Sequence, residues 1–434
     1  MDKLRVGVAG LGTVGGGLLQ LLTAQKDIIE ERCGRPVSIV AVSARDQSKH
    51  QDLNLADIKW HADATSLAVD QNVDVVCELI GGADGVALRV CEAALNAGKD
   101  VVTANKAMMA VHGARLASLA EKQGVEIYYE AAVAGGIPII KAIREGLSGN
   151  QISGVVGILN GTCNYILTDM HDAALAGESR DFDTVLKEAQ QLGYAESDPS
   201  TDIDGIDAAH KLAILTSASF GTEVDFSSIY VEGIRHISAV DIEYAVELGY
   251  RVKLLAIARM GTDGIQQRVH PCMVRERTTI ARVDGVNNAI VVESDFAGTT
   301  IYEGPGAGRN ATASAVAADL VDMAKGNRTP TFSVPTSNLT QPSFNTIDRI
   351  SGLYYIRLML LDKPGVIADI AACLRDQDVS VESMLQRSRS PGDVVPVVLT
   401  THESTESSVQ NALRLMQALP SVIETPRMIR IEEI

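Results

Sequence analysis

Short apolar segments alternate with helical patterns over the first 130 residues. The segments "LRVGVA", "VSIVAVSA", "DVVCELI" and "DVVTAN" predict strands, and helical patterns follow the first, third and fourth of them. Strands that alternate with helices are typical of a parallel sheet covered on both faces. We therefore predict an α/β domain with a doubly wound parallel sheet over residues 1–130.

A glycine-rich turn joins the first predicted strand to the first predicted helix. Its sequence is Gly10-Leu11-Gly12-Thr13-Val14-Gly15. The first glycine permits a tight turn, the second lets the backbone approach a pyrophosphate, and the third lets the helix pack on the strand. The turn predicts a Rossmann-type dinucleotide site made by Gly10, Gly12, Thr13, Val14 and Gly15. A packing turn without a ligand is the alternative.

The residues after the second strand bear on the type of dinucleotide. Arg45 follows Ser43 and Ala44, and Asp46 comes next. An acidic residue at this point usually binds a ribose 2′-hydroxyl, whereas an arginine accommodates a 2′-phosphate. Arg45 therefore favours NADP(H), with NAD(H) tolerated, and a solvated loop arginine is the alternative.

Two further segments are expected to face the dinucleotide. Lys106 lies where a predicted strand ends and a helix begins, at the edge of the sheet where ligands bind. A cation there opposes the helix dipole, so contact with cofactor or substrate is a better explanation than helix stability. A second glycine-then-helix segment, "EGPGAGRNATASAV", is expected to return the chain to the cofactor through Gly306. A surface lysine and a ligand-free turn are the respective alternatives.

A third glycine-rich turn follows Glu130 in "EAAVAGGIPII". The carbonyl groups of Val133, Gly135 and Ile137 can converge with the Glu130 carboxylate. One carboxylate and several carbonyls suit a hard, weakly held cation better than a transition metal. A strand-to-helix turn requires the same glycines and is the alternative.

An acidic stretch precedes a single lysine in "GYAESDPSTDIDGIDAAHK". The stretch holds Glu196, Asp198, Asp202, Asp204 and Asp207, and the lysine is Lys211. "DPSTDIDG" predicts a turn, and the helical pattern that follows places Asp207 and Lys211 one helical turn apart on one face. Because the helix then becomes strongly apolar, Lys211 is expected where a buried helix meets a polar pocket, as a proton donor requires. An exposed ion pair and a solvated acidic loop are the alternatives, and a metal site is weaker still.

The last 84 residues, 351–434, predict a separate module. A proline-containing linker over residues 326–350 precedes a strand, the turn "DKPG", and a pattern that completes a βαββαβ unit. "LDKPGVIADIAACL" resembles an ACT domain, a small regulatory module that binds amino acids and pairs with copies of itself. The resemblance implies an effector site at Asp362, Gly365 and Val366, and a module that only holds an oligomer together is the alternative.

Charge and composition exclude several classes of protein. The chain has 38 basic and 55 acidic residues and a net charge of −17, which disfavours nucleic acid as a partner. No apolar run approaches the roughly 20 residues that span a bilayer, so no membrane role is expected. The six cysteines form no CxxC pair. Reduced thiols and a cytoplasmic location are the expectation.

Six segments in this order and spacing resemble homoserine dehydrogenase: the glycine motif, "TANK", "EAAVAGGIPII", "GILNGTCNYILT", "GYAESDPSTDIDGIDAAHKLAIL" and "EGPGAGRNATASAV". The resemblance covers roughly residues 1–325. It implies an NAD(P)-dependent enzyme of threonine, methionine and isoleucine biosynthesis, which interconverts L-aspartate 4-semialdehyde and L-homoserine. It also implies a homodimer or homotetramer, with feedback regulation by threonine through the C-terminal module.

The resemblance assigns roles to particular residues and divides the chain. Lys211 is the implied catalytic acid and base, Glu196 and Asp207 hold the substrate, with Asp202 beside them, and Lys106 approaches substrate and nicotinamide. Glu130, Val133, Gly135 and Ile137 hold a sodium ion. Residues 131–325 form the implied catalytic, substrate-binding and dimerisation domain, whose last helix returns to the nucleotide domain.

Two other functions fit parts of the sequence. Cys163 lies at a predicted helix start, where the pKa of a thiol can fall, so a phosphorylating semialdehyde dehydrogenase with a cysteine nucleophile is one alternative. A nucleotide-binding amino-acid sensor without catalytic activity is the other.

Overall fold

The computed structural model describes residues 2–51, 53–341, 343–387 and 392–434. Among these residues, no helix combines the length and the apolar character needed to span a bilayer.

The first sheet has six strands in the order β3-β2-β1-β4-β5-β6, all parallel. The strands are β1 Leu4–Ala9, β2 Val37–Ser43, β3 Lys59–His61, β4 Val75–Glu78, β5 Asp100–Thr103 and β6 Ile127–Tyr128. Its helices are α1 Thr13–Ala24, α2 Lys26–Cys33, α3 Ala64–Ala68, α4 Val86–Asn96 and α5 Lys106–Gln123. The strand order reverses between β1 and β4, which is where such sheets bind ligands. The predicted doubly wound fold is confirmed.

The central region supplies the larger part of a second, mixed sheet. Its strands are β7 Ile152–Ile158, β8 Tyr230–Val231, β9 Tyr250–Gly261, β10 Gly264–Arg275, β11 Asn287–Ser294 and β12 Thr299–Pro305. Its helices are α6 Ile139–Lys141, α7 Gly161–Leu175, α8 Phe182–Gln191, α9 Ser200–Ile203, α10 Ile206–Phe220, α11 Ala239–Glu247 and α12 Arg309–Lys325. The turn predicted for "DPSTDIDG" therefore contains a single helical turn, which Pro199 precedes because proline suits a helix start.

Helix α12 packs on α1 of the nucleotide-binding fold. A Cβ atom added to Gly17 would lie 2.8 Å from Arg309 Cγ and 3.3 Å from Ala313 Cβ, so only glycine permits this approach. The last helix of the central region thus lies against the helix that follows the glycine motif. The domain boundaries at residues 130, 325 and 350 stay predictions.

The C-terminal unit has the predicted βαββαβ order. Its strands are β13 Ser351–Leu361, β14 Val381–Leu385, β15 Val394–Thr401, β16 Ser404–Thr405 and β17 Arg427–Glu432, and its helices are α13 Val366–Arg375 and α14 Glu406–Gln417. Strand β17 pairs with β13 on one side and, in parallel, with β10 on the other, where Cys272 lies opposite Arg430. One continuous sheet therefore joins the central region to the C-terminal unit.

The linker packs closely against the regions that it connects. Phe332 is fully buried, and its ring centroid lies 5.6 Å from that of Tyr129. Ile265 of β10 donates its backbone N–H to the carbonyl of Ser343 over 2.9 Å. Pro342 lies outside the described residues.

Candidate active site

A cleft opens at the carboxyl ends of β1, β2 and β4, and its volume is about 860 Å³. Its lining includes Gly10, Gly12, Arg45, Leu79 and Gly81. A Cβ atom at Gly10, whose φ is +103°, would lie 2.5 Å from the carbonyl oxygen of Leu79, whereas Gly12 faces open space. A ligand can therefore approach the backbone closely at Gly12, as the pyrophosphate of a dinucleotide must do.

The start of helix α1 provides donors for an anion in this cleft. The helix begins at Thr13, and no side chain caps it at Gly12. The first N–H groups of a helix have no partner within the helix, and the helix dipole favours a negative charge there. Gly15 allows the tight geometry, because a Cβ atom there would lie 2.0 Å from the carbonyl oxygen of Gly10. The residues present fit a dinucleotide.

Basic side chains that follow β2 line the same cleft. Arg45, Lys49 and His50 all line it, together with Asp46. Asp46 accepts hydrogen bonds from Ser48 N over 3.0 Å and Ser48 Oγ over 2.7 Å, which lower the pKa of its carboxyl group. The Asp46 carboxylate is therefore occupied by hydrogen bonds within its own turn, whereas the Arg45 side chain lines the cleft and can bind a ligand.

Asp207 lies between two lysines from different parts of the chain. Its Oδ1 is 2.8 Å from Lys106 Nζ, and its Oδ2 is 2.8 Å from Lys211 Nζ. Lys106 begins α5 after the fifth strand of the parallel sheet, and α5 packs against α10, which carries Asp207 and Lys211. The ion pair therefore connects the nucleotide-binding fold to the central region.

Burial and charge act in opposite directions on this cluster. Burial alone disfavours the ionised form of Asp207, but the two ammonium groups outweigh it and hold the pKa of its carboxyl group below the ordinary range. Burial likewise opposes the charged form of Lys106, and Asp207 more than compensates, so the pKa of Lys106 is raised. Both lysines therefore lie beside the same buried carboxylate, with Lys211 buried and the Lys106 side chain 40% exposed.

Lys211 is buried, with 7% of its surface exposed. Its Nζ donates to the carbonyl oxygen of Leu159 over 2.6 Å and to Asp207 over 2.8 Å. An ammonium group has three donors, so these two bonds fix its position and leave one donor for a ligand. The arrangement can present a single N–H to a substrate oxygen.

Asn160 is the residue that sequence reasoning left out of the site. Its Oδ1 caps α7 by accepting from Cys163 N over 2.8 Å, and its Nδ2 donates to Asp202 over 2.8 Å and to Asp207 over 3.0 Å. This one amide therefore both caps the helix and contributes to the polar pocket. Burial raises the pKa of Asp202, against the hydrogen bond from Asn160.

The other three acids of the stretch have different surroundings. Asp204 pairs with Arg235 at the surface, and Asp198 accepts from Ser200 N over 3.1 Å. Glu196 is exposed, and its negative charge raises the pKa of Lys106. The structure thus brings Asp202 and Asp207 into the pocket with Lys211, and Glu196 lies at the surface near Lys106.

Glu130 is buried beneath the glycine-rich turn. Its carboxylate accepts from Ile140 N over 3.0 Å and from Lys141 N over 2.8 Å at the start of α6. Burial, followed by the charge of Asp319, raises the pKa of this carboxyl group to about 8. A carboxylate this poorly solvated, beside a turn with several carbonyl groups, fits a hard cation of low charge.

Gly306 lies against this turn. A Cβ atom added at Gly135 would lie 2.8 Å from the carbonyl oxygen of Gly306, and Gly136 N donates to the carbonyl oxygen of Pro305 over 2.9 Å. Gly306 is not among the residues that line the dinucleotide cleft. Its contact with a cofactor stays a prediction.

Cys163 has the surroundings of a structural thiol. It is fully buried, and its Sγ donates to the carbonyl oxygen of Asp202 over 3.2 Å. Burial raises the pKa of this thiol well above its usual value. The expectation that the helix start lowers this pKa is wrong, because burial and the nearby aspartates oppose the thiolate. The structure therefore speaks against a cysteine nucleophile.

The loop before α13 contains the three residues predicted for an effector. Asp362 N donates to the carbonyl oxygen of Asp393 over 2.9 Å, and Gly365 has a φ of +92° at the start of the helix. The side chain of Val366 is buried in the apolar core of the C-terminal unit. Val366 can therefore contact an effector on this loop through its backbone but not through its side chain.

Comparisons with known proteins cover nearly the whole chain. A family model described as homoserine dehydrogenase matches residues 138–321, and one described as the NAD-binding domain of homoserine dehydrogenase matches residues 10–130. A third, described as the ACT domain, matches residues 354–420.

Similar proteins align over their full length. The homoserine dehydrogenase of Pseudomonas aeruginosa is 42% identical, with 100% of both chains covered, and that of Helicobacter pylori is 40% identical, with 99% of each covered. The crystal structure of a homoserine dehydrogenase from Thiobacillus denitrificans superposes with a TM-score of 0.93 at 42% identity, covering 99% of this chain and 98% of that one. A hyperthermophilic archaeal homoserine dehydrogenase in complex with NADPH gives a TM-score of 0.62 at 28% identity, covering 74% of this chain and 97% of that one.

Proposed function

The chain belongs to the homoserine dehydrogenase family, and on that premise we propose that Lys211, positioned by Asp207, transfers the proton of its reaction. The protein is an NAD(P)-dependent oxidoreductase that interconverts L-aspartate 4-semialdehyde and L-homoserine. The phosphorylating dehydrogenase and the non-catalytic sensor are not favoured. The observation that carries the proposal is the buried ion pair of Lys211 with Asp207, to which Lys106 also binds.

The geometry of Lys211 supports a role as acid and base. When bound, the nicotinamide supplies the hydride in the reducing direction and accepts it in the other. Negative charge then develops on the substrate oxygen, and the remaining N–H of Lys211 stabilises it and donates a proton. In the oxidising direction the neutral amine accepts the proton of the substrate hydroxyl group. Asp207 and Leu159 keep the ammonium group in one position throughout.

Acidic groups around Lys106 support binding of an amino acid. We propose that Glu196, Asp202 and Asp207 provide a negative region for the substrate ammonium group and hydroxyl end. Lys106 contacts both substrate and nicotinamide. The support is electrostatic, because the charges of all three acids raise the pKa of Lys106.

An assay of NADPH absorbance with L-aspartate 4-semialdehyde tests the function. Cofactor oxidation that depends on the aldehyde and needs no phosphate is the expected result. A second assay with NADP⁺ in place of NADPH separates the rival, because phosphate-dependent reduction of NADP⁺ by the aldehyde would instead indicate the phosphorylating reaction. No turnover at all would contradict the proposed function.

We propose that the enzyme prefers NADP(H) and tolerates NAD(H), with Arg45 holding the 2′-phosphate. Arg45→Ala is expected to raise the KM for NADPH by about tenfold to a hundredfold, the effect of one charge-assisted hydrogen bond, and to change the KM for NADH little. Initial rates with both cofactors check this. Arg32→Ala, on the exposed face of α2, is the matched control. Equal effects on both cofactors would contradict the role of Arg45.

We propose a sodium site formed by Glu130 with the carbonyl groups of Val133, Gly135 and Ile137. A cation that binds only the folded state stabilises it in proportion to the logarithm of its concentration. Sodium chloride is therefore expected to raise the melting temperature above that in tetramethylammonium chloride of equal ionic strength. Glu130→Gln should remove the difference, with Glu126→Gln as the control. Identical curves in both salts for the unaltered protein would rule the site out.

Regulation by threonine through the C-terminal unit is also proposed, at the loop of Asp362, Gly365 and Val366. Deletion of residues 351–434 is a poor test, because it would remove β17 and expose the edge of β10. Inhibition by L-threonine should weaken in Asp362→Ala, and inhibition that persists unchanged there would contradict this location.

A homodimer or homotetramer in the cytoplasm completes the proposal. β12 is an edge strand of the second sheet, and Phe296, in the turn before it, is 89% exposed. An exposed edge and aromatic group favour contact with a second copy. The six cysteines are all free thiols, as in a reducing compartment. Light scattering measures the assembly directly.

A further inference from the structure

A second cavity lies at the seam between the central region and the C-terminal unit. Its volume is about 350 Å³. It lies where β17 pairs with β10, so strands from both units form its walls. The polar residues in its lining are Arg259, Gln266, Arg268, Arg349, Ser351, Tyr354, Arg430 and Glu432. Four arginines thus face one acid across a small cavity.

Two of these arginines are already neutralised. Arg430 Nη1 lies 2.8 Å from Glu232 Oε2, and Arg430 Nη2 lies 2.5 Å from Glu406 Oε1. Arg268 Nη2 lies 2.8 Å from Glu432 Oε1. These pairs connect the two units and leave little capacity for a ligand.

The other two arginines make fewer contacts: Arg259 Nη2 donates one long hydrogen bond, of 3.4 Å, to the carbonyl oxygen of Glu433. The nearest carboxylate oxygens to the Arg259 guanidinium lie 3.8 and 3.9 Å away, on Glu293 and Glu432, and its buried Nε has no hydrogen-bond partner. The side chain of Arg349 forms no ion pair within the described part of the chain. A buried N–H without an acceptor costs free energy, and a bound oxyanion would relieve that cost.

The nearby group of His270, Cys272 and Glu432 does not favour a metal ion. Their ligand atoms lie within 4.8 Å of one another. However, Arg268 Nε donates to His270 Nε2 over 3.1 Å, which occupies the lone pair that a metal requires. The surrounding guanidinium groups also repel a cation. Because the acids pair mainly with Arg268 and Arg430, the unused donors of Arg259 and Arg349 favour an anion in the cavity.

We propose that this cavity binds a small oxyanion, a carboxylate or a phosphate group, between Arg259 of β9 and Arg349 just before β13. The ligand connects the central region to the C-terminal unit and stabilises the seam between them. The site is separate from the effector loop of Asp362 and does not depend on the proposed catalytic role of Lys211.

Thermal unfolding with added anions tests the site. The full chain is saturated with NADP⁺, so that the dinucleotide cleft is occupied, and is titrated separately with inorganic phosphate and with L-threonine. At least one of these is expected to raise the melting temperature above that in chloride of equal ionic strength. Arg349→Ala and Arg259→Ala should each weaken the apparent affinity by about tenfold to a hundredfold, since each removes a charge-assisted hydrogen bond.

The variants separate the outcomes. Arg277→Ala, in the exposed turn after β10, is the matched control and should respond as the unaltered protein does. A response to phosphate alone identifies a phosphate-type ligand, and a response to threonine that is lost in Arg349→Ala identifies a carboxylate. The proposal is overturned if neither anion raises the melting temperature, or if the response survives in both variants.

Discussion

Lys211→Ala is expected to lower kcat by about 10²–10⁴-fold in both directions, because it removes the group that exchanges a proton with the substrate oxygen. Affinity for the dinucleotide should change little, since Lys211 does not line the cleft around the glycine motif. Steady-state rates in both directions, together with a fluorescence titration of NADPH, measure the two effects separately.

Two control variants refine this test. Lys187→Ala, on the exposed face of α8, should leave kcat unchanged. Lys211→Arg keeps the positive charge, but a guanidinium group does not release its proton near neutral pH. If Lys211→Arg keeps the full activity of the unaltered enzyme, a positive charge at this position is sufficient for catalysis. That result would contradict proton transfer by Lys211.

Asp207→Asn is expected to lower kcat/KM by about 10²–10³-fold, because the two ammonium groups lose the carboxylate that holds them. The free energy of unfolding should also fall by about 3 kcal/mol, as is typical when one partner of a buried ion pair is removed. Enzyme kinetics and chemical denaturation at neutral pH measure these quantities.

The loss of stability should depend on pH in a definite direction. The pKa of Asp207 is lower in the folded protein than its unfolded value of about 4. Its contribution is therefore complete above that unfolded value and is lost as the pH falls through the lower folded-state pKa. The stability difference between the unaltered protein and Asp207→Asn should shrink in acid.

A neighbouring acid provides the control for Asp207. Asp204→Asn breaks a surface pair with Arg235, and such pairs contribute little. Its kcat/KM should remain near that of the unaltered protein. Equal losses in Asp204→Asn and Asp207→Asn would indicate a general effect of the acidic stretch and contradict the special position of Asp207.

The sequence predicted the nucleotide-binding fold because its signals are local. Gly15 is required by its contact with Gly10 within one strand, turn and helix, and the longer apolar strands β1, β2, β4 and β5 were all recognised. The two shortest strands, β3 and β6, were not, because three and two residues carry too little periodicity.

The candidate site was predictable only in part. Asp207 and Lys211 are one helical turn apart, so their pairing follows from the sequence. The contact of Asp207 with Lys106 depends on how α5 packs against α10, and no local sequence pattern predicts that packing. Asn160 was left out of the site for the same reason, since its Nδ2 donates to acids that come more than 40 residues later.

The seam at β10 and β17 was not predicted at all. The pattern of the last strand fits an edge as well as a partner in a longer sheet, and the pairing of Cys272 with Arg430 joins residues far apart in the chain. The buried ion pairs there were equally invisible, because charged residues in a strand usually indicate a solvated face.

Stopped-flow measurement of a single turnover by Lys211→Ala tests the central claim most directly, because it isolates hydride transfer from product release. The enzyme is saturated with NADPH and mixed with L-aspartate 4-semialdehyde, and NADPH absorbance is followed. We predict that the first turnover is slower than that of the unaltered enzyme by at least about 10²-fold. A first turnover at the unaltered rate would contradict the account.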